Sequence, residues 1–186
     1  MKNLNFLFEL GGPLAFALLL GVQLFGGQAE PDSTPTSTSA PSILPDFSFS
    51  SEYTFPVSGY GTDDIISGFG DARGKTRKHL GVDIKAPRHT KIVAIRSGKV
   101  ERIKEGGNAG KSLYLRGDDG RLYFYAHLED WLIKEGELVD QGDAIATVGD
   151  SGNAKGTTPH LHFEVMEGKG KTRKSIDPAE ILDAHF

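Results

Sequence analysis

The feature that most limits what this chain can fold into is its punctuation. From Ser51 onward, short runs of Val, Ile, Leu and aromatic residues are cut by Gly, Asp and Asn. Among them are Gly81-Val82-Asp83-Ile84, Lys91-Ile92-Val93-Ala94-Ile95, Gly98-Lys99-Val100-Glu101-Arg102-Ile103 and Ser112-Leu113-Tyr114-Leu115. Leu122-Tyr123-Phe124-Tyr125-Ala126-His127, Ala144-Ile145-Ala146-Thr147-Val148 and Leu161-His162-Phe163-Glu164-Val165 continue the series. Runs of this length, ended by turn formers, predict an antiparallel sheet or sandwich. Helix is scarce, and the best candidate comes last. There Asp177 can cap, Pro178 takes the first helical position and Glu180 sits where a capping box needs it, which predicts a short helix over residues 178–184.

The first fifty residues follow other rules. Residues 11–27 form an uncharged apolar run preceded by Lys2 and followed by the small-x-small triplet Gly27-Gln28-Ala29. This is the pattern of a signal peptide over residues 1–29, and retention of the run would leave an N-terminal membrane anchor instead. Export to the periplasm or cell envelope of a bacterium is the expectation either way. Residues 30–50 are rich in Ser, Thr and Pro and too poor in apolar side chains to repay the entropy of folding, so they read as a linker. Residues 51–186 then form one β-rich domain.

Composition narrows the chemistry. A net charge of −4 argues against nucleic acid as a partner. The 186 residues contain no cysteine, which removes disulfides, thiolate nucleophiles, thiolate metal ligands and attachment through a lipidated cysteine. Any zinc must be held by His and carboxylate.

Six histidines are present. His160 and His162 are two apart on an expected strand, so both rings leave one face while Leu161 and Phe163 leave the other. One of them can bind a metal while its neighbour stands beside a water, although two solvated strand histidines would give the same pattern. His79 and Asp83 are four apart in a stretch that Gly81 and Val82 make more suited to an extended backbone than to a helix. Even spacing again puts both on one side, and a nitrogen with a carboxylate oxygen suits zinc. A loop histidine with an ion-pairing aspartate is the plainer alternative. In Tyr123-Phe124-Tyr125-Ala126-His127-Leu128, period-two alternation assigns Tyr123, Tyr125 and His127 to a common face. Taken singly, His127 could equally sit in the core or at a rim. His89 and His185 belong to none of these groupings.

Together, His79-x-x-x-Asp83, Tyr125-Ala126-His127-Leu128 and His160-Leu161-His162 after a Gly-rich loop resemble the lysostaphin and LytM type of zinc metallopeptidase, the M23 family. Ser67-Gly68-Phe69-Gly70, Gly81-Val82-Asp83-Ile84-Lys85-Ala86-Pro87, Gly98-Lys99-Val100, residues 136–143 and Gly149-Asp150-Ser151-Gly152 follow the family pattern in order, covering roughly residues 55 to 183. The resemblance implies a mainly β fold, an antiparallel β-sheet core with a loop-lined groove and a short C-terminal helix. It implies one zinc ion on His79, Asp83 and His162, with His127 and His160 as the catalytic pair, and peptides of bacterial peptidoglycan as substrate. Between Gly152 and His160 the chain reads Asn153-Ala154-Lys155-Gly156-Thr157-Thr158-Pro159, where many members read Asn-x-Ser-Thr-Gly-Pro, which leaves substrate preference open.

The expected function is therefore a zinc endopeptidase that cuts a cross-link or stem peptide of peptidoglycan. A noncatalytic zinc-bearing module that binds cell wall or activates another hydrolase is the alternative. With the catalytic domain alone, the chain would find its substrate through residues 11–27 as an anchor or through a regulatory protein partner. The basic run Arg73-Gly74-Lys75-Thr76-Arg77-Lys78 just before the first ligand either draws the carboxylates of stem peptides, with Arg77, Lys78 and Tyr125 as the substrate-binding candidates, or is a solvated loop. The first reading predicts that replacing Arg77 and Lys78 with Ala raises KM and leaves zinc content unchanged; unchanged kinetics at low salt would remove it.

Overall fold

The computed structural model describes residues 52–182, so the expected signal or anchor segment, the linker and the end of the predicted last helix lie outside the described residues. The strands are β1 (Ile65–Ser67), β2 (Ala72–Arg73), β3 (Arg77–Lys78), β4 (Val82–Lys85), β5 (Lys91–Val93) and β6 (Gly98–Lys104). They continue with β7 (Lys111–Gly117), β8 (Leu122–Trp131), β9 (Leu138–Val139), β10 (Ala144–Val148), β11 (His160–Glu167) and β12 (Lys174–Ile176), before helix α1 (Ala179–Leu182). As its capping pattern predicts, the helix starts where the Ala179 N–H donates to Asp177 Oδ1 at 3.0 Å.

The main sheet runs β1-β4-β11-β8-β7-β6-β9, with β10 joined to β5 and β8, and β12 to β11; β2 and β3 form a separate hairpin. Every pairing is antiparallel, as the turn-punctuated runs predict. One face carries the core. Leu161, Phe163 and Val165 of β11 pack there with Val82 and Ile84 of β4, Tyr123 and Tyr125 of β8, and Leu113 and Leu115 of β7. Period two then sends His160, His162 and Glu164 to the opposite face, beside a smaller cluster of Leu122, Phe124, Ala126 and Met166.

Register fixes which polar groups meet on that second face. In the β4–β11 ladder His162 stands opposite Asp83, while Phe163 stands opposite Val82 and Leu161 opposite Ile84. Burial of the apolar pairs prevents a slip by one residue, because a slip would turn the whole set outward.

The alternation breaks at His127, which corrects one expectation. Tyr123 and Tyr125 do share a face, but it is the core face: Tyr125 is 0% exposed, and its hydroxyl accepts the Ile95 N–H at 3.1 Å. His127 does not follow them. The β7–β8 register shifts between Lys111 opposite Leu128 and Leu113 opposite Tyr125, and His127 takes a positive φ of 60°. The extra residue of this bulge turns the imidazole to the polar face. Tyr125 therefore cannot touch a substrate there.

Gly81 is needed for close approach rather than for a turn. A Cβ at this position would lie 2.2 Å from the Phe163 carbonyl oxygen, so a side chain would force β4 away from β11. Gly81→Ala is expected to cost about 1–3 kcal/mol of stability, the usual penalty of overpacking, and to weaken metal binding with it. An unchanged urea midpoint would show that the strands can separate freely.

Candidate metal centre

Three side chains converge where β4 meets β11. His79 Nε2 lies 2.9 Å from His162 Nδ1 and 3.1 Å from Asp83 Oδ1, and His162 Nδ1 lies 2.9 Å from the same oxygen. His79 and Asp83 are buried and His162 nearly so. Such a group needs a reason to exist, because buried polar atoms are costly without partners.

The outer contacts of the two rings supply that reason. His79 Nδ1 is 2.8 Å from the Gly68 carbonyl oxygen, which can only accept, so Nδ1 carries the proton. His162 Nε2 is 2.9 Å from Glu164 Oε1, and by the same argument its proton sits on Nε2. Neutral rings then turn bare nitrogens toward Asp83 Oδ1, and three lone pairs share a space with no donor among them. A cation is the natural occupant. Nitrogen and oxygen ligands about 2.0–2.2 Å from zinc stand roughly 3.3–3.6 Å apart across a tetrahedral edge, a few tenths of an ångström wider than these spacings. Two imidazoles and one carboxylate fit zinc, and three protein ligands leave a fourth position open.

Protons show the same tension. Burial alone would raise Asp83, but the neighbouring His162, His79 and Arg73 outweigh it and hold the carboxyl far below the usual carboxylate range. Burial works against a charged His162, yet Asp83 and Glu164 outweigh it and push the ring up to about 9. Without metal, a proton thus takes the place of the cation.

His127 and His160 stand beside this group. Their ring centroids are 5.0 Å apart, and that of His127 is 5.8 Å from that of His162. His127 Nδ1 donates to the Ser151 carbonyl oxygen at 2.9 Å, and His160 Nδ1 donates to the Thr158 carbonyl oxygen at 2.8 Å. Both Nε2 atoms are left without a hydrogen-bond partner among the described residues. Burial, reinforced by the neighbouring His160, pushes His127 down to about 4, so its ring is neutral at pH 7. The loop between β10 and β11 serves both rings through backbone carbonyls, a function that does not depend on the side chains of residues 153–159.

All five residues singled out for metal binding and catalysis come together. The substrate-binding candidates do not: Tyr125 is in the core, and Arg77 and Lys78 are exposed on β3. Three further participants escaped sequence reasoning. The Gly68 carbonyl has no sequence signal of its own. Glu164 had one, since it lies two residues beyond His162 on the same face. Arg73, hidden in a charged run, reaches Asp83 Oδ2 with its guanidinium.

The chain is similar to known proteins. The family model described as Peptidase family M23 matches residues 77–178. The peptidoglycan DD-endopeptidase ShyC of Vibrio cholerae is 35% identical over 105 residues, which are 56% of this chain and 24% of that protein. The murein hydrolase activator NlpD of Salmonella dublin is 32% identical over 157 residues, 82% of this chain and 35% of that protein. The chain thus spans about a quarter to a third of these two relatives' length. The solved catalytic domain of the antimicrobial peptidase lysostaphin from Staphylococcus simulans superposes with a TM-score of 0.57 at 30% identity, covering 63% of this chain and 90% of that one.

The displaced proton gives a test. His162 in the metal-free protein sits at about 9, above the ordinary 6.5, so its contribution to stability is full below about 6.5 and is lost as pH rises through about 9. The melting temperature of the metal-free protein should fall across that window. Zinc binding near pH 7.5 should release at least one proton, that of His162 together with any shed by a zinc-bound water, with affinity rising as pH increases toward 9. Calorimetry in buffers of different ionisation enthalpy measures the release, and binding without release would contradict the proton assignment.

Proposed function

Because the chain belongs to peptidase family M23, we propose that it is a zinc-dependent endopeptidase that hydrolyses a peptide bond of bacterial peptidoglycan in the periplasm or cell envelope. The observation that carries this reading is the convergence of His79, Asp83 and His162 on one point, with two spare imidazoles beside it. Bound there, zinc would lower the pKa of a water to about 7 and polarise the scissile carbonyl.

The protein's own residues do the rest. Gly68 and Glu164 hold the outer protons of His79 and His162, so that both rings keep a lone pair for the metal. Asp83 supplies a permanent anion, since its carboxyl is kept ionised at any working pH. His127 is neutral at pH 7 and has its Nδ1 proton fixed by Ser151, so its Nε2 is free to accept a proton from an attacking water. His160, fixed in the same way by Thr158, offers a second Nε2 at the rim of the site, able to orient that water or to steady charge developing on the carbonyl oxygen.

The likeness to a murein hydrolase activator extends over more of this chain than the likeness to the endopeptidase does, and it supports a second reading in which the domain binds wall or activates another hydrolase. The complete set of polar groups favours catalysis, because a binding module has no use for two free imidazole bases beside a metal.

Digestion of purified peptidoglycan sacculi with stoichiometric zinc, read by mass spectrometry of the released muropeptides, separates the readings. The parent protein should release peptide fragments and reveal which bond is cut. His160→Ala and His127→Ala should keep their zinc and lose about 10²–10⁴ in kcat, the usual share of general acid–base catalysis, whereas His162→Ala should lose zinc and activity together. A folded parent that holds zinc and releases nothing from several wall types would favour the activator.

A further inference from the structure

The charged run before the first ligand is not one patch. Arg77 and Lys78 are exposed on β3, whereas Arg73 at the end of β2, itself only partly covered, turns its guanidinium to Asp83. One guanidinium nitrogen, Nη2, donates to Asp83 Oδ2 and lies 3.2 Å from Ser67 Oγ. Ser67 is placed opposite Asp83 by the β1–β4 register. Its hydroxyl donates to Asp71 Oδ2 at 2.7 Å, so its oxygen is left to accept from Arg73. Asp71 Oδ2 also takes the Gly68 N–H at 2.8 Å, and the Asp71 carbonyl takes the His79 N–H at 2.8 Å. Ser67 to Arg73 therefore forms a strap, whose Gly68 carbonyl orients His79 while its last residue grips Asp83.

The two oxygens of Asp83 are thereby given different tasks. Oδ1 faces both imidazole nitrogens, and Oδ2 faces Arg73. A carboxylate with both oxygens free can bind a metal through one or through both. Binding through both would raise the coordination number and crowd the position that a hydrolytic site must leave for water or substrate. A guanidinium is always charged, rigid and directional, which makes it a suitable restraint on the second oxygen.

We infer that Arg73 is a positioning residue that confines Asp83 to one-oxygen coordination and so keeps the metal's fourth position open. The inference rests on the proposed metal centre at His79, Asp83 and His162. It accounts for an arginine that is paired with a ligand and raises the positive charge of a site built to hold a cation: attraction for the ion is lessened, and geometry is gained.

Cobalt(II) is the probe, because its visible d–d absorption is intense in four-coordinate sites and several-fold weaker in five-coordinate ones. The full chain, Arg73→Met, Arg73→Ala and Arg73→Lys are each loaded with one equivalent of cobalt(II), with far-ultraviolet circular dichroism to confirm the fold. Met keeps the length of the side chain without a donor, and Lys keeps both charge and a donor. The parent should give the intense spectrum, Met and Ala should lose several-fold in absorbance as Oδ2 joins the metal, and Lys should restore it. A parent-like spectrum in folded Arg73→Met would overturn the role of Arg73 while leaving the metal centre intact. A parent that binds no cobalt(II) and no zinc would overturn the metal centre itself, and the inference with it.

Discussion

The pairing of β4 with β11 is the constraint on which the rest depends. It sets Asp83 opposite His162 on one face while Val82, Ile84, Leu161 and Phe163 lock the other face into the core. The polar convergence is held by apolar burial beneath it, since the same register that buries those side chains brings the carboxylate 2.9 Å from the imidazole. Gly81 permits the close crossing, and His79 then arrives from the segment that precedes β4.

Around this pair the protein spends its polar groups on fixing protons. Each of the four histidines in the site gives one nitrogen to an acceptor: Gly68, Ser151 and Thr158 through their carbonyls, and Glu164 through its carboxylate. Those contacts decide which nitrogen remains available. Two rings are left with a nitrogen facing Asp83 Oδ1 and two with a free Nε2 beside them, as the proposed split between metal binding and proton transfer needs. The division of labour expected of an M23 peptidase thus follows from backbone carbonyls as much as from the histidines themselves, and burial keeps His127 in the neutral form that proton transfer at neutral pH requires.

Much of this was legible in the sequence wherever period two holds. Along β11 it correctly separated His160 and His162 from Leu161 and Phe163, and the turn-punctuated runs correctly indicated an antiparallel sheet. It failed along β8, because a bulge at His127 adds a residue that no pattern of side chains announces, and the imidazole was parted from Tyr125, which stays in the core. The basic run failed differently. Six neighbouring residues read as one surface feature, yet the β2–β3 hairpin turns Arg73 toward Asp83 and leaves Arg77 and Lys78 outside. Backbone acceptors such as Gly68 and Ser151 left no mark, since a carbonyl is present whatever the side chain. Residues paired in a regular ladder could be read in advance, whereas those positioned by a bulge, a hairpin or the main chain could not.

The central claim is that His79, Asp83 and His162 form a zinc site, and metal analysis of protein purified without added metal tests it most directly. The account predicts one zinc per chain in the parent and none in Asp83→Ala. A folded parent that carries no metal and shows no affinity for zinc would contradict it.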